Sequence, residues 1–183
     1  MSYCTYIPTI VPEEKRNLHK HYHDKLYGFP IHDNNELFGR LILEINQAGL
    51  SWETILKKEV AFRKAYDYFD IQKIANYSAA DRERLLNDAG IIRNKLKVNA
   101  AIENAKTILR LQAEFGSFEK WLEHHHPLPK AEWVKLFKKT FKFTGGEIVG
   151  EFLMSIGYLE GAHDADCPVQ KEIEKANPMW MGK

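Results

Sequence analysis

The sequence predicts an all-α fold, and three observations carry that expectation. Apolar residues recur at helical spacing over most of the 183 residues. Capping and stopping residues punctuate the chain between those periodic segments. No stretch alternates apolar and polar residues as a half-buried strand would.

The elements follow in order. Residues 34–47 place Leu37, Leu41 and Ala48 on one line with Phe38, Ile42 and Ile45 beside it, and Gly49 closes this amphipathic helix. Ser51 stands where it would cap the next helix, with Ile55 and Leu56 facing inward. Asp70 opens a short helix. Ser78 followed by Asp81 reads as a capping box, and its helix is expected to run through Leu85 and Leu86 to a C-terminal Gly90. The longest periodic segment, 94–115, carries Val98, Ile102, Ala105, Ile108 and Leu109. Helices near 117–125, 130–139 and 147–156 follow, separated by Pro127, Pro129 and Gly145-Gly146. No repeat, low-complexity tract or Gly/Ser linker divides the chain, so one domain over 1–183 is expected.

Composition narrows the function. Hydrophobic residues make up 44% and aromatics 12%, which is a globular balance rather than a disordered one. The formal charge is only +1, but it is unevenly spread. Residues 93–142 carry eleven Lys/Arg against five Asp/Glu, a candidate footprint for a polyanion, although solvated helix faces give the same pattern. No apolar run approaches the roughly 20 residues needed to cross a bilayer, and MSYCTYIPTI lacks the features of a signal peptide. A cytoplasmic, soluble protein without a membrane partner is expected. The two cysteines, Cys4 and Cys167, lie near opposite ends, and in a reducing compartment they read as thiols or metal ligands.

One carboxylate stands out. In EINQAGLSW, residues 44–52, Glu44 lies roughly 20° around the helix from Leu37, at the margin of the apolar arc. A bland reading lets it reach water or pair with Arg40, one turn earlier. The segment after it argues for more. Gly49 breaks the helix, Leu50 is an apolar residue in a turn, and Trp52 returns to the same end. An acceptor, a flat aromatic and an exposed leucine around one helix end suit a planar ligand. Elsewhere, His163-x-x-x-Cys167 has the spacing of neighbouring metal ligands, and Cys4 with His23 would complete two thiolates and two imidazoles. His19 and His21 compete with His23, and the run His124-His125-His126 reads as a surface loop.

LEINQAGLSWETILKK (43–58) resembles the signature of the 3-methyladenine DNA glycosylase I family. YHDKLYGFP (22–30), LLNDAGIIRNKLKVNAAIENA (85–105), FKFTG (141–145) and GAHDADC (161–167) resemble its other motifs, in order and over nearly the whole chain. The resemblance implies a helical bundle of the helix-hairpin-helix DNA glycosylase type, with its two ends tied by structural Zn²⁺ on Cys4, His23, His163 and Cys167. It implies a DNA repair enzyme that flips 3-methyladenine out of alkylated double-stranded DNA. The enzyme would hydrolyse the N-glycosidic bond and leave an abasic site, without lyase activity and acting as a monomer. A 3-methylated adenine is cationic, so electron-rich rings and a carboxylate would hold it. By resemblance Glu44 is that carboxylate and the catalytic residue. Tyr22 and Trp52 are stacking walls, with Tyr27 and Tyr6 as further substrate contacts. Gly49 and Leu50 would plug the duplex. Gly90, Arg93, Lys95 and Lys97, in the hairpin DAGIIRNKLK (88–97), would hold DNA phosphate. Lys138, Lys139 and Lys142 would add charge.

Departures bear on substrate breadth. Tyr6 and Tyr27 stand where tryptophan is common, Ile92 where the hairpin often has a second glycine, and Glu147 to Gly150 replace a T-T-x-x-Y pattern. Other glycosylases of the superfamily use an aspartate downstream of the hairpin. This chain has none between Asp88 and Asp164, which fits the resembling family's handling of a labile cationic base without that residue; Glu103 or Glu147 standing in for it is the lesser alternative. Two rivals remain: a catalytically silent alkylated-DNA-binding protein of the same fold, and a zinc-dependent hydrolase acting through the histidines.

Overall fold

Helix starts follow the caps written into the sequence. In the computed structural model, which describes residues 1–182, Ser51, Asp70 and Ser78 each stand at an N-cap. Each accepts a backbone N–H from three residues on, satisfying a donor that the first turn leaves orphaned. Asp81 completes the capping box, its carboxylate accepting the Ser78 N–H at 2.8 Å. The helices are α1 (Tyr3–Tyr6), α2 (Glu13–Lys25), α3 (Asn34–Gln47), α4 (Trp52–Ala65), α5 (Ile71–Ala75), α6 (Ala79–Asn87), α7 (Lys95–Phe115), α8 (Phe118–His125), α9 (Lys130–Thr140), α10 (Gly146–Ser155) and α11 (Pro168–Lys175). Short 3-10 turns occupy Ile7–Thr9, Asp67–Phe69 and Met179–Met181, and no strand occurs among the described residues.

The all-α expectation is met, with three local differences besides the short unannounced helices α1 and α11. The helix expected to reach Gly90 ends at Asn87, because Asp88 turns extended and its carboxylate takes the Gly90 N–H at 2.7 Å. His124 and His125 close α8 instead of lying in a loop, and His125 Nδ1 lies 2.8 Å from the Trp121 carbonyl. The third difference is α2, which the apolar periodicity does not announce. Its buried residues are His19, Tyr22 and His23, polar side chains that a hydrophobic template passes over.

The centre of the molecule is α3, in which every residue from Leu37 to Asn46 is buried. It packs against α4, α7, α8, α10 and the Asp67–Phe69 turn, so it is enclosed all round. Gly39 makes the last of these contacts possible: a Cβ there would lie 2.2 Å from Phe69 Cδ2. A large core of Leu, Ile, Phe and Trp side chains surrounds α3. A smaller aromatic cluster of Tyr22, Tyr27 and Leu56, with Tyr3 and Trp52 at its margin, lies where α2 packs on α4. Among the described residues no helix is long and apolar enough to cross a membrane.

Candidate active site and metal centre

The C-terminal end of α3 carries the group singled out above. Glu44 is only 3% exposed, and among the described residues no hydrogen-bond donor or ion-pair partner reaches its carboxylate. Arg40 is one turn back but engaged elsewhere. Its Nη1 donates to Tyr22 Oη at 3.3 Å and to the Ser155 carbonyl at 3.4 Å, and the guanidinium lies 5.1 Å from the centre of the Tyr22 ring. Arg40 therefore does not pair with Glu44. Burial pushes its carboxyl up to about 8; the Arg40 charge pulls it down, and the Glu151 carboxylate adds to the rise.

The carboxylate faces a cavity of about 320 Å³ lined by Tyr3, Tyr22, Tyr27, Glu44, Gln47, Trp52 and Glu151. That volume is at the small end for ligand pockets and suits one nucleobase-sized group. Tyr22 and Trp52 touch, with centroids 5.0 Å apart and planes tilted by 58°. They therefore form one aromatic corner, whereas two opposed stacking walls would stand about twice a ring spacing apart. Tyr27 lies 5.5 Å from Tyr22, and Tyr3 lies 5.7 Å from Tyr27, edge on. The Trp52 indole N–H is buried and lacks an acceptor among the described residues. The Glu44 carboxyl, unpartnered and on the cavity lining, is an acceptor that a polar ligand would satisfy.

Two assignments change here. Tyr6 is not among the lining residues: it is 42% exposed and packs edge-on against His19, centroids 6.0 Å apart. Tyr3 lines the cavity instead, its hydroxyl 2.9 Å from His19 Nδ1. Glu151 on α10 also lines it and accepts the Tyr27 hydroxyl at 3.1 Å. Of the two acids weighed as alternatives to the missing aspartate, Glu103 is exposed and held by Lys106 at 2.9 Å. Glu147 is exposed beside Lys130 at 3.9 Å. Position 151 carried no signal in the sequence beyond its place one helical turn after Glu147.

Glu44, Gln47 and Glu151 also line a wider groove of about 590 Å³, with Gly49, Leu50, Gly145 and Glu147 along it. A Cβ built on Gly49 or Gly145 would meet nothing within 4 Å, so both backbones face open space. Gly49 adopts φ +81°, a conformation that favours glycine, and Leu50 projects 41% exposed beside it.

Lys97, expected with Arg93 and Lys95 to hold DNA phosphate, instead points inward. It is buried, and its ammonium donates to the carbonyls of Asn46 at 2.8 Å and Ala48 at 2.7 Å. It clamps the carbonyl end of α3 just before the Gly49-Leu50 turn. The Gly90 amide is likewise taken, by Asp88, and Asn94 caps α7 by accepting from the N–H of Leu96 and Lys97. Among the described residues no acceptor takes the N–H of Ile92, Arg93 or Lys95. Arg93 and Lys95 are exposed, as are Lys138, Lys139 and Lys142. The free donors after Gly90 are thus the amides of Ile92, Arg93 and Lys95, while the Asn94 N–H donates to the Ile92 carbonyl at 3.0 Å.

The two chain ends meet around a second set of side chains. One ligand atom each from Cys4, His23, His163 and Cys167 lies within 4.8 Å of the others, in an arrangement able to hold a metal ion. Cys4 Sγ is 3.3 Å from His23 Nε2 and 3.6 Å from His163 Nδ1; Cys167 Sγ is 3.9 Å and 3.7 Å from the same atoms. Each imidazole's other nitrogen has a partner: His23 Nδ1 lies 2.7 Å from Asp24 Oδ1, and His163 Nε2 lies 2.9 Å from the Tyr27 carbonyl. His21 is exposed and His19 is engaged with Tyr3, so neither joins the cluster. Burial pushes the Cys4 thiol up to about 11; the Asp164 amide opposes this and Cys167 adds to it.

A family model described as methyladenine glycosylase matches residues 13–132. That span includes Tyr22, Glu44 and Trp52 and leaves Cys4, Glu151, His163 and Cys167 outside. The DNA-3-methyladenine glycosylase of Haemophilus influenzae is 34% identical over 173 residues, covering 84% of this chain and 93% of that protein. DNA-3-methyladenine glycosylase 1 of Escherichia coli is 35% identical over 165 residues, 80% of this chain and 88% of its own. Among solved structures, one describing 3-methyladenine recognition by 3-methyladenine DNA glycosylase I of Staphylococcus aureus superposes with a TM-score of 0.76. Its sequence identity is 32%, over 83% of this chain and 90% of that one.

Proposed function

The chain belongs to the methyladenine glycosylase family, and from that premise we infer that it excises 3-methyladenine from alkylated DNA by hydrolysing the N-glycosidic bond. The single observation that supports this reading most is the buried, unpartnered Glu44 carboxylate facing an aromatic cavity. Burial keeps this carboxyl protonated in the free protein, and a cation placed beside it favours its ionised form, so together with the electron-rich rings it selects a flat cation over a neutral base. The methylated base enters as a cation and leaves neutral, so the site would bind the reactant's charge and the bond would break by its own lability, aided by orientation and water exclusion.

Role by role, Glu44 accepts from the base edge, the Tyr22–Trp52 corner supports its face, and Tyr27 and Tyr3 close the cup. The backbone of a bound duplex runs along the wider groove, where Leu50 fills the gap left by the flipped nucleotide. Arg93, Lys95 and the free amides of Ile92, Arg93 and Lys95 take phosphate without reading sequence. Among the described residues no lysine lines the cavity or the groove, which supports hydrolysis without a lyase step. Every group comes from one chain, and a monomer of one domain is the working unit.

The Cys4–His23–His163–Cys167 set fits a closed tetrahedral Zn²⁺ site: its ligand atoms are spaced as zinc–sulfur bonds of about 2.3 Å and zinc–nitrogen bonds of about 2.0 Å require. When bound, the ion supplies charge to ionise two thiols and a cross-link between the chain ends. The site has four protein ligands and no open position, so its role is structural.

The test is chromatography of bases freed from methylated duplex DNA. The wild-type protein should release 3-methyladenine, and Glu44→Ala should lower free 3-methyladenine affinity at least tenfold while duplex affinity changes less than threefold. Duplex binding with no base released at high protein would favour the silent binder.

A further inference from the structure

The cavity and the groove share part of their lining, and the shared part holds a carboxylate that the base-recognition scheme does not use. Glu44, Gln47 and Glu151 line both spaces. If the base occupies the aromatic cavity and the phosphodiester backbone follows the groove, the glycosidic bond crosses between them, beside these three side chains. Glu44 is buried on α3, next to Tyr22 and Trp52 at the base edge. Glu151 approaches from α10 and is only half-buried. Tyr27 Oη donates to its Oε2 at 3.1 Å, which fixes the carboxylate, and among the described residues nothing takes its Oε1.

We propose that Glu151 is a second catalytic carboxylate, placed against the sugar rather than the base. This rests on the excision reading above. The C1′–N bond breaks with its electron pair leaving on the base, which becomes neutral, and positive charge passes to the deoxyribose. An oriented carboxylate beside C1′ stabilises that charge. Water then adds its oxygen to C1′ and gives a proton to the Glu151 carboxylate, which returns it to solvent, leaving the hydroxyl of an abasic site. The Tyr27 hydroxyl acts as a positioning group for this carboxylate.

The experiment is single-turnover release of 3-methyladenine from a duplex, alongside titration of free 3-methyladenine, for wild type, Glu151→Gln, Glu151→Ala and Tyr27→Phe. Glu151→Gln keeps the size and an acceptor for Tyr27, so it retains the fold. It should slow release at least about tenfold while free-base affinity stays within about twofold. Glu151→Ala should match it, and Tyr27→Phe should slow release less. Release by wild type with an unchanged rate in Glu151→Gln overturns the role of Glu151 alone, as does an equal fall in rate and free-base affinity. No release by wild type would instead overturn the reading on which the role rests.

Discussion

Tyr22 and His23 are neighbours on α2, yet their side chains leave the helix about 100° apart and enter two regions finished in opposite ways. In the cluster that His23 joins, the imidazoles face the two thiols, while Asp24 and the Tyr27 carbonyl hold their outer nitrogens; one turn earlier the buried His19 Nε2 is left without a hydrogen-bond partner. On the Tyr22 side a buried carboxylate lacks a donor and a buried indole N–H lacks an acceptor. Closed networks specify structure, whereas open ones leave room for something that is not protein. The regions also touch. Tyr27 gives its carbonyl to His163 and its ring and hydroxyl to the cavity. The cluster therefore anchors one wall of the cavity without contributing a group to it.

Breaking the closed region should have the largest effect on stability. Cys4→Ala removes one ligand, and the remaining three lose both charge balance and geometry. We expect bound zinc to be lost on elemental analysis, with a destabilisation on the order of 4 kcal/mol, or roughly 10 °C in Tm for a chain of this size. The rate of base release per folded molecule should stay within about twofold of wild type. A collapse of that rate in protein that remains folded would move the histidines from scaffold to chemistry and revive the zinc-hydrolase alternative.

The open region should respond with the opposite sign. In the unfolded chain Glu44 ionises near its ordinary 4.5, but in the fold only near about 8, chiefly through burial. Between those values the folded protein holds a proton that the unfolded chain has lost, so stability falls as pH rises from about 4.5 to about 8 and stays low above. Glu44→Gln carries no such dependence. At pH 9 it should be more stable than wild type by on the order of 3 kcal/mol, and below pH 4 the two should converge. Denaturant midpoints across pH read this directly. Equal midpoints at pH 4 and pH 9 would mean that the carboxylate is already satisfied in the empty protein. Gaining stability while losing base affinity is the mark of a group retained for binding.

How much of this was legible in the sequence divides along the same line. Capped helices with aliphatic faces were readable because burial of Leu and Ile imposes a period: α3 and α7 fall within a residue of their expected bounds. Glu44 was readable because it broke that period. The region around α2 was not, since its inward face is imidazole and phenol and carries no hydrophobic signal. Tyr3 and Tyr6 were not separable, because a four-residue helix does not fix which ring turns inward. Glu151 reaches the cavity only through the packing of α10 on α3, a contact between residues more than a hundred positions apart. Charge was the most misleading signal: Lys97 sits in the basic stretch with Arg93 and Lys95, and nothing in its spacing shows that it points inward.

Lys97 offers the finest test of the contrast, because it joins the hairpin to the open region from within. Its ammonium is held by two carbonyls of the α3 terminus, groups that the helix itself leaves unpaired. Lys97→Met keeps the length of the stem and removes the charge and both hydrogen bonds. The expected loss is about 2 kcal/mol, or roughly 6 °C in Tm, with the Gly49-Leu50 turn losing its fixed base. Arg93→Ala provides the control. An exposed cation against a phosphate should reduce the slope of log affinity against log salt by about one unit with little change in Tm. Lys97→Met should do the reverse, lowering Tm and leaving the slope intact. If its salt slope fell like that of Arg93→Ala, the lysine would be reaching DNA after all, and the Leu50 turn would need another support.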